Sequence, residues 1–251
     1  LETMRDRAIA FVPASGRQCT TLSTMFGSHL QGMPIIAENG TYVVRDGVDI
    51  SSSTIDPNLT REVITGVRQL RNDGHDVGLV VATKSIAYLE RGDDPFVSHV
   101  ATYYHSHRIV KDLSEHTDDV IKLSIYDFRE ASEATYPTMQ RTAPEHQVIL
   151  ATPNWVDIMN PGVNKGSAVE AVQRDLGVTA DQTAIFGDFL NDLEMMPMAK
   201  WSFAMANGHP NIVKASNYVA PPNTENGVIT VLAALLGTGV RPRDGHRSDQ
   251  G

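Results

Sequence analysis

Asp188, Asn191 and Asp192 follow closely on the apolar run Ala184-Ile185-Phe186, with Gly187 between. Two carboxylates and an amide are hard oxygen donors. Such donors suit Mg²⁺, which takes one or two carboxylates, several waters and a substrate phosphate. In an open parallel sheet, ligands sit just beyond the carboxyl ends of the strands, and Asp188 falls at that position. A second reading fits the same residues equally well: Asp188 caps the next helix and Asn191-Asp192 forms a turn.

Two other places carry comparable chemistry. Ser15-Gly16-Arg17 follows the apolar run Ala8–Val12 and opens a helix, so a hydroxyl and free N–H groups there can hold a phosphate oxygen. Lys165 sits in the first turn of a helix, where a cation opposes the dipole, and pairing with an anion would account for it. Each feature taken singly is an everyday surface arrangement; their order along the chain gives them weight.

The elements that must position these residues alternate in type. At the start, the pattern predicts a strand over 8–12, a helix over 18–30 and a strand over 34–37. A hairpin at 41–44 turns at Asp46-Gly47. The middle block predicts a helix over 59–70 opened by Asp56-Pro57, a strand over 76–82 and a short helix over 85–90. It continues with a strand over 120–126, a helix over 130–141 and a strand over 147–151. A helix over 164–176 closed by Gly177 comes next, then the strand ending at Asp188 and a helix through Met195. The last elements are a strand over 201–205, a helix over 210–216, a strand over 218–220 and a helix over 227–236. The expected class is α/β, a Rossmann-like three-layer core with a parallel sheet, interrupted by an inserted α+β cap domain. The expected boundaries are 1–54 for the first part of the core, 55–152 for the cap, 153–237 for the second part and 238–251 for a polar, disordered tail.

Composition narrows the partners. With 251 residues, 41% hydrophobic and 20% charged, the chain reads as an ordinary globular protein of one large or two modest domains. A net charge of −9 argues against nucleic acid or anionic membrane as the main partner. Cys19 is the single cysteine, which excludes an intrachain disulfide and points to a reducing, cytoplasmic setting. Its default reading is a small residue on a helix. No apolar run reaches the roughly 18 residues of a membrane span. Oligomeric state leaves no signature here.

At this point the chain resembles the haloacid dehalogenase superfamily of phosphatases, in particular its Cof-like members with a large α/β cap (type IIB). The matching segments are FVPASGRQ, PIIAENGTYV, WVDIMNPGVNKGSAV, AIFGDFLND, AMANGHPNIVKASNYVAP and NTENGV. They run in family order from about residue 8 to 236. The resemblance implies that Ser15 and Lys165 bind and neutralise the transferring phosphoryl group, with Gly16 and Arg17 beside them. It implies that Asp188 ligates Mg²⁺ and that Asn191 and Asp192 complete or orient that site. Asn39 and Asn207 take the place of loop residues lining it. The implied activity is Mg²⁺-dependent hydrolysis of small phosphorylated metabolites, sugar phosphates first, through an aspartyl-phosphate intermediate.

The sequence departs from that pattern in one respect. The family's first motif, Asp-x-Asp-Gly-Thr, carries the nucleophile and the general acid, and no Asp-x-Asp precedes Ser15. Loss of a central strand would expose unpaired edges, so the expectation is that the working protein is longer than the sequence given. The alternatives are a catalytically inactive binding protein of the same fold and a phosphosugar mutase of the same superfamily. In the cap, His105 and His107 would share one face of a strand. A third and fourth zinc ligand at suitable spacing are missing, so a solvated or substrate-facing surface is the default for that pair.

Overall fold

The computed structural model describes residues 1–238. The chain forms two compact units, Leu1–Val163 and the part from Asn164 onward.

The first unit contains strands β1 (Pro34–Ala37), β2 (Tyr42–Arg45), β3 (Val48–Ser52), β4 (Val77–Thr83), β5 (Ala87–Leu89), β6 (His107–Ile109), β7 (Val120–Asp127), β8 (Gln147–Leu150) and β9 (Trp155–Met159). Its helices are α1 (Glu2–Asp6), α2 (Cys19–Phe26), α3 (Pro57–Asn72), α4 (Asp94–Ala101) and α5 (Thr135–Thr142). β1, β2 and β3 form an antiparallel sheet. Its β2–β3 turn has positive φ at Asp46 (50°) and Gly47 (79°), the backbone that a two-residue hairpin with matching twist requires.

The larger sheet runs β6-β5-β4-β7-β9-β8 and is antiparallel except for the β5–β6 pair. Its central strands β4 and β7 are buried along their whole length. The pleat sends alternate side chains to opposite faces. Leu79 and Val81 meet the apolar stripe of α3 (Leu59, Val63, Ile64, Val67, Leu70), whereas Val80 and Ala82 meet Phe96 and Val100 of α4. A sheet covered on both faces leaves little room for polar groups in its central strands. Lys122 and Ser124 of β7 and Asp157 of β9 are therefore notable; all three are buried.

The second unit places strands β10 (Ala184–Gly187), β11 (Trp201–Met205) and β12 (Tyr218–Ala220) in a parallel sheet. It also holds α6 (Lys165–Leu176), α7 (Pro210–Ala215) and α8 (Gly227–Leu235). Phe186, Phe203 and Tyr218 form a row across the sheet, with stacked rings 5.0 and 5.1 Å apart between centroids. α6 starts where Asn164 accepts the Ser167 N–H at 2.9 Å and stops at left-handed Gly177. Parallel pairing between helices gives the α/β class expected.

Several local expectations change. Residues 8–12 are not a strand: the nearest pairing is a single parallel bridge beyond them, Ala14 to Ile36. Ala8 has φ of 55°, which breaks extension, and Pro13 has no N–H to continue a ladder. Residues 87–89 form β5 rather than a helix, because buried Ala87 and Leu89 alternate against β4. The helix expected from 130 starts only at Thr135, and the helix after Asp188 is of the tighter 3₁₀ type over Leu190–Met198. α4 and β9 were not foreseen. The expected tail at 238–251 lies, except for Thr238, outside the described residues.

Candidate active site

Ser15, Gly16, Arg17 and Asn39 come together in the first unit. The 13–17 segment runs beside β1 and the turn that follows it. Ile36 N–H donates to Pro13 C=O at 2.9 Å and Ser15 N–H to Ile36 C=O at 3.0 Å. Asn39 N–H then takes the Ser15 carbonyl and Glu38 N–H the Arg17 carbonyl, both at 3.0 Å. Glu38 and Asn39 both have positive φ (51° and 59°), an uncommon backbone for side-chain-bearing residues and a frequent mark of functional turns. A Cβ on Gly16 would lie 2.9 Å from Asn39 Oδ1, so any larger residue would have to displace the Asn39 amide.

Behind the loop lies a buried charged cluster. Lys122 Nζ is 2.5 Å from Glu38 Oε2 and 3.7 Å from Asp157 Oδ2, and it donates to the Gly16 carbonyl at 3.0 Å. Asp157 also accepts from Ser124 Oγ at 2.6 Å and from Asn39 Nδ2 at 3.3 Å. The Tyr104 hydroxyl is 2.9 Å from Ser124 Oγ. Burial pushes the Glu38 carboxyl above its usual range, with Lys122 offsetting only part of that. Burial acts on Lys122 in the opposite sense, yet Asp157 and Glu38 outweigh it and hold the ammonium well above the ordinary lysine value. Lys122 is thus charged inside the protein.

The start of α2 is fastened to the 103–106 segment. Gln18 N–H and Thr21 Oγ1 both donate to the Tyr103 carbonyl, while Gln18 exchanges bonds with the Ser106 N–H and C=O. His105 N–H donates to Thr21 Oγ1. The Arg17 guanidinium lies over the Tyr103 ring and donates to the Thr102 carbonyl.

Lys165, Asp188, Asn191 and Asp192 come together in the second unit. Lys165 Nζ is 2.6 Å from Asp192 Oδ1, and both side chains are buried. Asp192 Oδ2 accepts the N–H groups of Asp188 at 3.0 Å and Phe189 at 3.4 Å. Asp188 Oδ2 accepts from Asn223 Nδ2 at 3.2 Å, and the Asp188 carbonyl takes the His209 N–H at 2.8 Å. Asn207 and Asn223 are bonded to each other twice. Asn191 is exposed on the 3₁₀ turn.

Both oxygens of Asp192 are thus committed within the protein, which makes it the residue that orients the Asp188 turn and balances Lys165. Asp188 keeps one carboxylate oxygen without a hydrogen-bond donor among the described residues. No group of three His, Cys, Asp or Glu side chains able to hold a metal occurs among the described residues. A cation here would rest on Asp188, water and substrate oxygens, a donor set that fits Mg²⁺ and not a soft ion. His105 and His107 face different surroundings: His107 Nδ1 bonds the Tyr104 carbonyl, and the His105 side chain is exposed.

Residues 1–232 match the family described as haloacid dehalogenase-like hydrolase. The chain belongs to that family. Among curated relatives it is 29% identical, over 94% of its length and 86% of the relative's, to the 5-amino-6-(5-phospho-D-ribitylamino)uracil phosphatase YbjI of Escherichia coli. It is 22% identical, over 85% of its length and 77% of the relative's, to the HMP-PP phosphatase of Cronobacter sakazakii. Its structure is similar to SMU.1108c from Streptococcus mutans, with a TM-score of 0.80 and 23% identity over 94% of this chain and 89% of that one. It is also similar to the subclass IIB sugar phosphatase BT4131, with a TM-score of 0.75 and 19% identity over 95% and 89%. The family resemblance read from the motifs therefore holds, and so does the α/β fold. No helix among the described residues is long and apolar enough to cross a membrane.

The sequence does not single out Glu38, Lys122, Asp157 or Asn223, although Glu38, Asp157 and Asn223 lie within the matching segments. A signal existed for two of them: VIKLSIYD and WVDIM each set a charge inside an otherwise apolar strand.

Proposed function

We propose that the protein is a Mg²⁺-dependent phosphatase of small phosphorylated metabolites, with sugar or polyol phosphates as the substrate class. The observation that carries this reading is the Lys165–Asp192–Asp188 arrangement. A buried lysine opens a helix, its counter-charge is fixed, and the same carboxylate fixes the turn bearing a carboxylate with a free oxygen. The family membership and the phosphatase relatives support it.

In this reading residues 55–152 act as the cap over the core. Ser15 donates its hydroxyl to a phosphoryl oxygen, and the Gly16 N–H adds a second donor. Lys165 has three ammonium protons and spends one on Asp192. The other two can neutralise oxygens of the transferring group, where charge builds up in the transition state. Asp188 would hold the Mg²⁺, which supplies further charge neutralisation when bound.

The test uses the full-length protein with a panel of phosphate monoesters, assayed for phosphate release with and without Mg²⁺. Release from polyol and sugar phosphates that stops with EDTA and returns with Mg²⁺ is the expected result. Absence of turnover across the panel, with inorganic phosphate also failing to bind, overturns the reading.

A further inference from the structure

The phosphate loop and a distant strand meet at one peptide unit. All three carbonyls of Ser15, Gly16 and Arg17 are held: Ser15 by Asn39 N–H, Arg17 by Glu38 N–H, and Gly16 by the Lys122 ammonium. The middle bond is the exceptional one, because its donor is a charge supplied from β7, more than a hundred positions along the chain. The Gly16 carbonyl and the Arg17 N–H belong to the same amide. That N–H donates to Ser15 Oγ at 3.2 Å. The Ser15 hydroxyl proton and the Gly16 N–H have no acceptor among the described residues; both are available to an incoming anion.

We propose that Lys122 is a positioning residue for Ser15, acting through the Gly16–Arg17 peptide. A cation on the carbonyl oxygen draws density from the amide, so its N–H becomes a stronger donor to Ser15 Oγ. The serine hydroxyl, accepting that bond, in turn becomes a stronger donor to a phosphoryl oxygen. Chains of hydrogen bonds polarise one another in this way, and low local dielectric strengthens each bond. The geometry fixes the direction of the relay: ammonium to carbonyl, N–H to hydroxyl oxygen, hydroxyl proton outward.

The cluster around Lys122 suits this role. Glu38 and Asp157 keep the ammonium in place and charged. Glu38 also bonds the loop through its own N–H, so one residue holds both the cation and the segment it acts on. A Lys122 that merely neutralised Glu38 would have no need to reach the Gly16 carbonyl. The ammonium also lies over the Tyr104 ring, 5.4 Å from its centroid, a cation–π contact that adds to its hold.

This inference rests on Ser15 as a phosphate ligand, and two readouts keep the two ideas separable. In the full-length enzyme, Lys122→Gln should lower kcat/KM for a phosphate ester about ten- to hundredfold, the weight of a hydrogen bond to a charged group. In the Ser15→Ala background the same change should cost less than about twofold, since the relay then has no end. Lys122→Arg, which keeps a cation, should recover part of the activity. Because a lone Lys122→Gln leaves Glu38 buried without its partner, Lys122→Gln/Glu38→Gln serves as the second variant, with the same net charge in the cluster.

The other readout needs no turnover. The Arg17 amide proton resonance should move upfield in both Gln variants relative to the unsubstituted protein. If folded variants keep that resonance in place, or if the Lys122 and Ser15 losses multiply independently, the relay is wrong. If the unsubstituted enzyme turns over no phosphate ester, the phosphatase reading falls, while the Arg17 resonance still decides the link.

Discussion

Asp192 divides its carboxylate between two tasks: Oδ1 takes the Lys165 ammonium at 2.6 Å and Oδ2 takes the Asp188 N–H at 3.0 Å. A cation and a potential metal ligand are thereby referenced to one rigid group. Asp192→Ala should leave Lys165 buried without a counter-charge and cost about 3–5 kcal/mol of unfolding free energy. Denaturant melts measure it. Lys165→Met/Asp192→Leu should be less costly than Asp192→Ala, because it leaves no orphaned charge; the reverse order would refute the pairing.

Asn223 donates to Asp188 Oδ2 at 3.2 Å and should orient that carboxylate for a cation. Loss of such an outer partner typically weakens metal binding about 10- to 100-fold. Asn223→Ala should raise the Mg²⁺ concentration for half-activation by that factor, with the circular-dichroism melt unchanged. A Mg²⁺ titration superimposable on that of the unsubstituted enzyme would remove Asn223 from the site.

Gly16→Ala would push a methyl group toward Asn39 Oδ1, at 2.9 Å before relaxation. Overpacking at such a contact costs about 1–3 kcal/mol. The same shift should weaken inorganic phosphate binding, because the turn carrying the Gly16 N–H must move. Calorimetric titration with phosphate tests this, and unchanged affinity together with unchanged stability would contradict the close approach.

Glu38 sets a pH dependence of definite sign. Its folded pKa is raised above the unfolded one, chiefly by burial, so the folded protein holds that proton to higher pH. Stability from this group is therefore greatest below the ordinary carboxylate range and declines as pH rises to the raised value. Glu38→Gln removes the decline. Melting temperatures taken across that window should fall with rising pH more steeply in the unsubstituted protein than in the variant; parallel curves would show Glu38 to be uninvolved.

What the sequence made legible was mostly local. Asn164 and Gly177 mark both ends of α6, Asp46-Gly47 marks the hairpin, and Asp56-Pro57 opens α3. Lys165 at a helix start, Asp188 just past a strand end and Ser15 ahead of α2 also follow from short-range signals, whereas the strand expected before Ser15 does not form. Illegible were the contacts that tertiary packing alone creates. β5 reads as a helix until β4 is placed beside it. The 8–12 run has strand composition but forms no strand; a single bridge follows it, at Ala14. Lys122 lies on the same pleat face as Ser124, and Asp157 stands opposite Ser124 across the β7–β9 pair. Spacing along the chain cannot show that their charges converge beneath Gly16.

The bonds joining Gln18 and Thr21 to Tyr103, His105 and Ser106 have a practical consequence for recombination. The middle block cannot be exchanged between relatives as an interchangeable cassette cut at its two chain crossings. A graft that replaces 103–106 without carrying residues compatible with Gln18 and Thr21 would leave the first turn of α2 unmoored, and the 13–17 segment ahead of it would drift. Chimeras built on this chain should be cut along hydrogen-bonded partnerships rather than along the order of the chain.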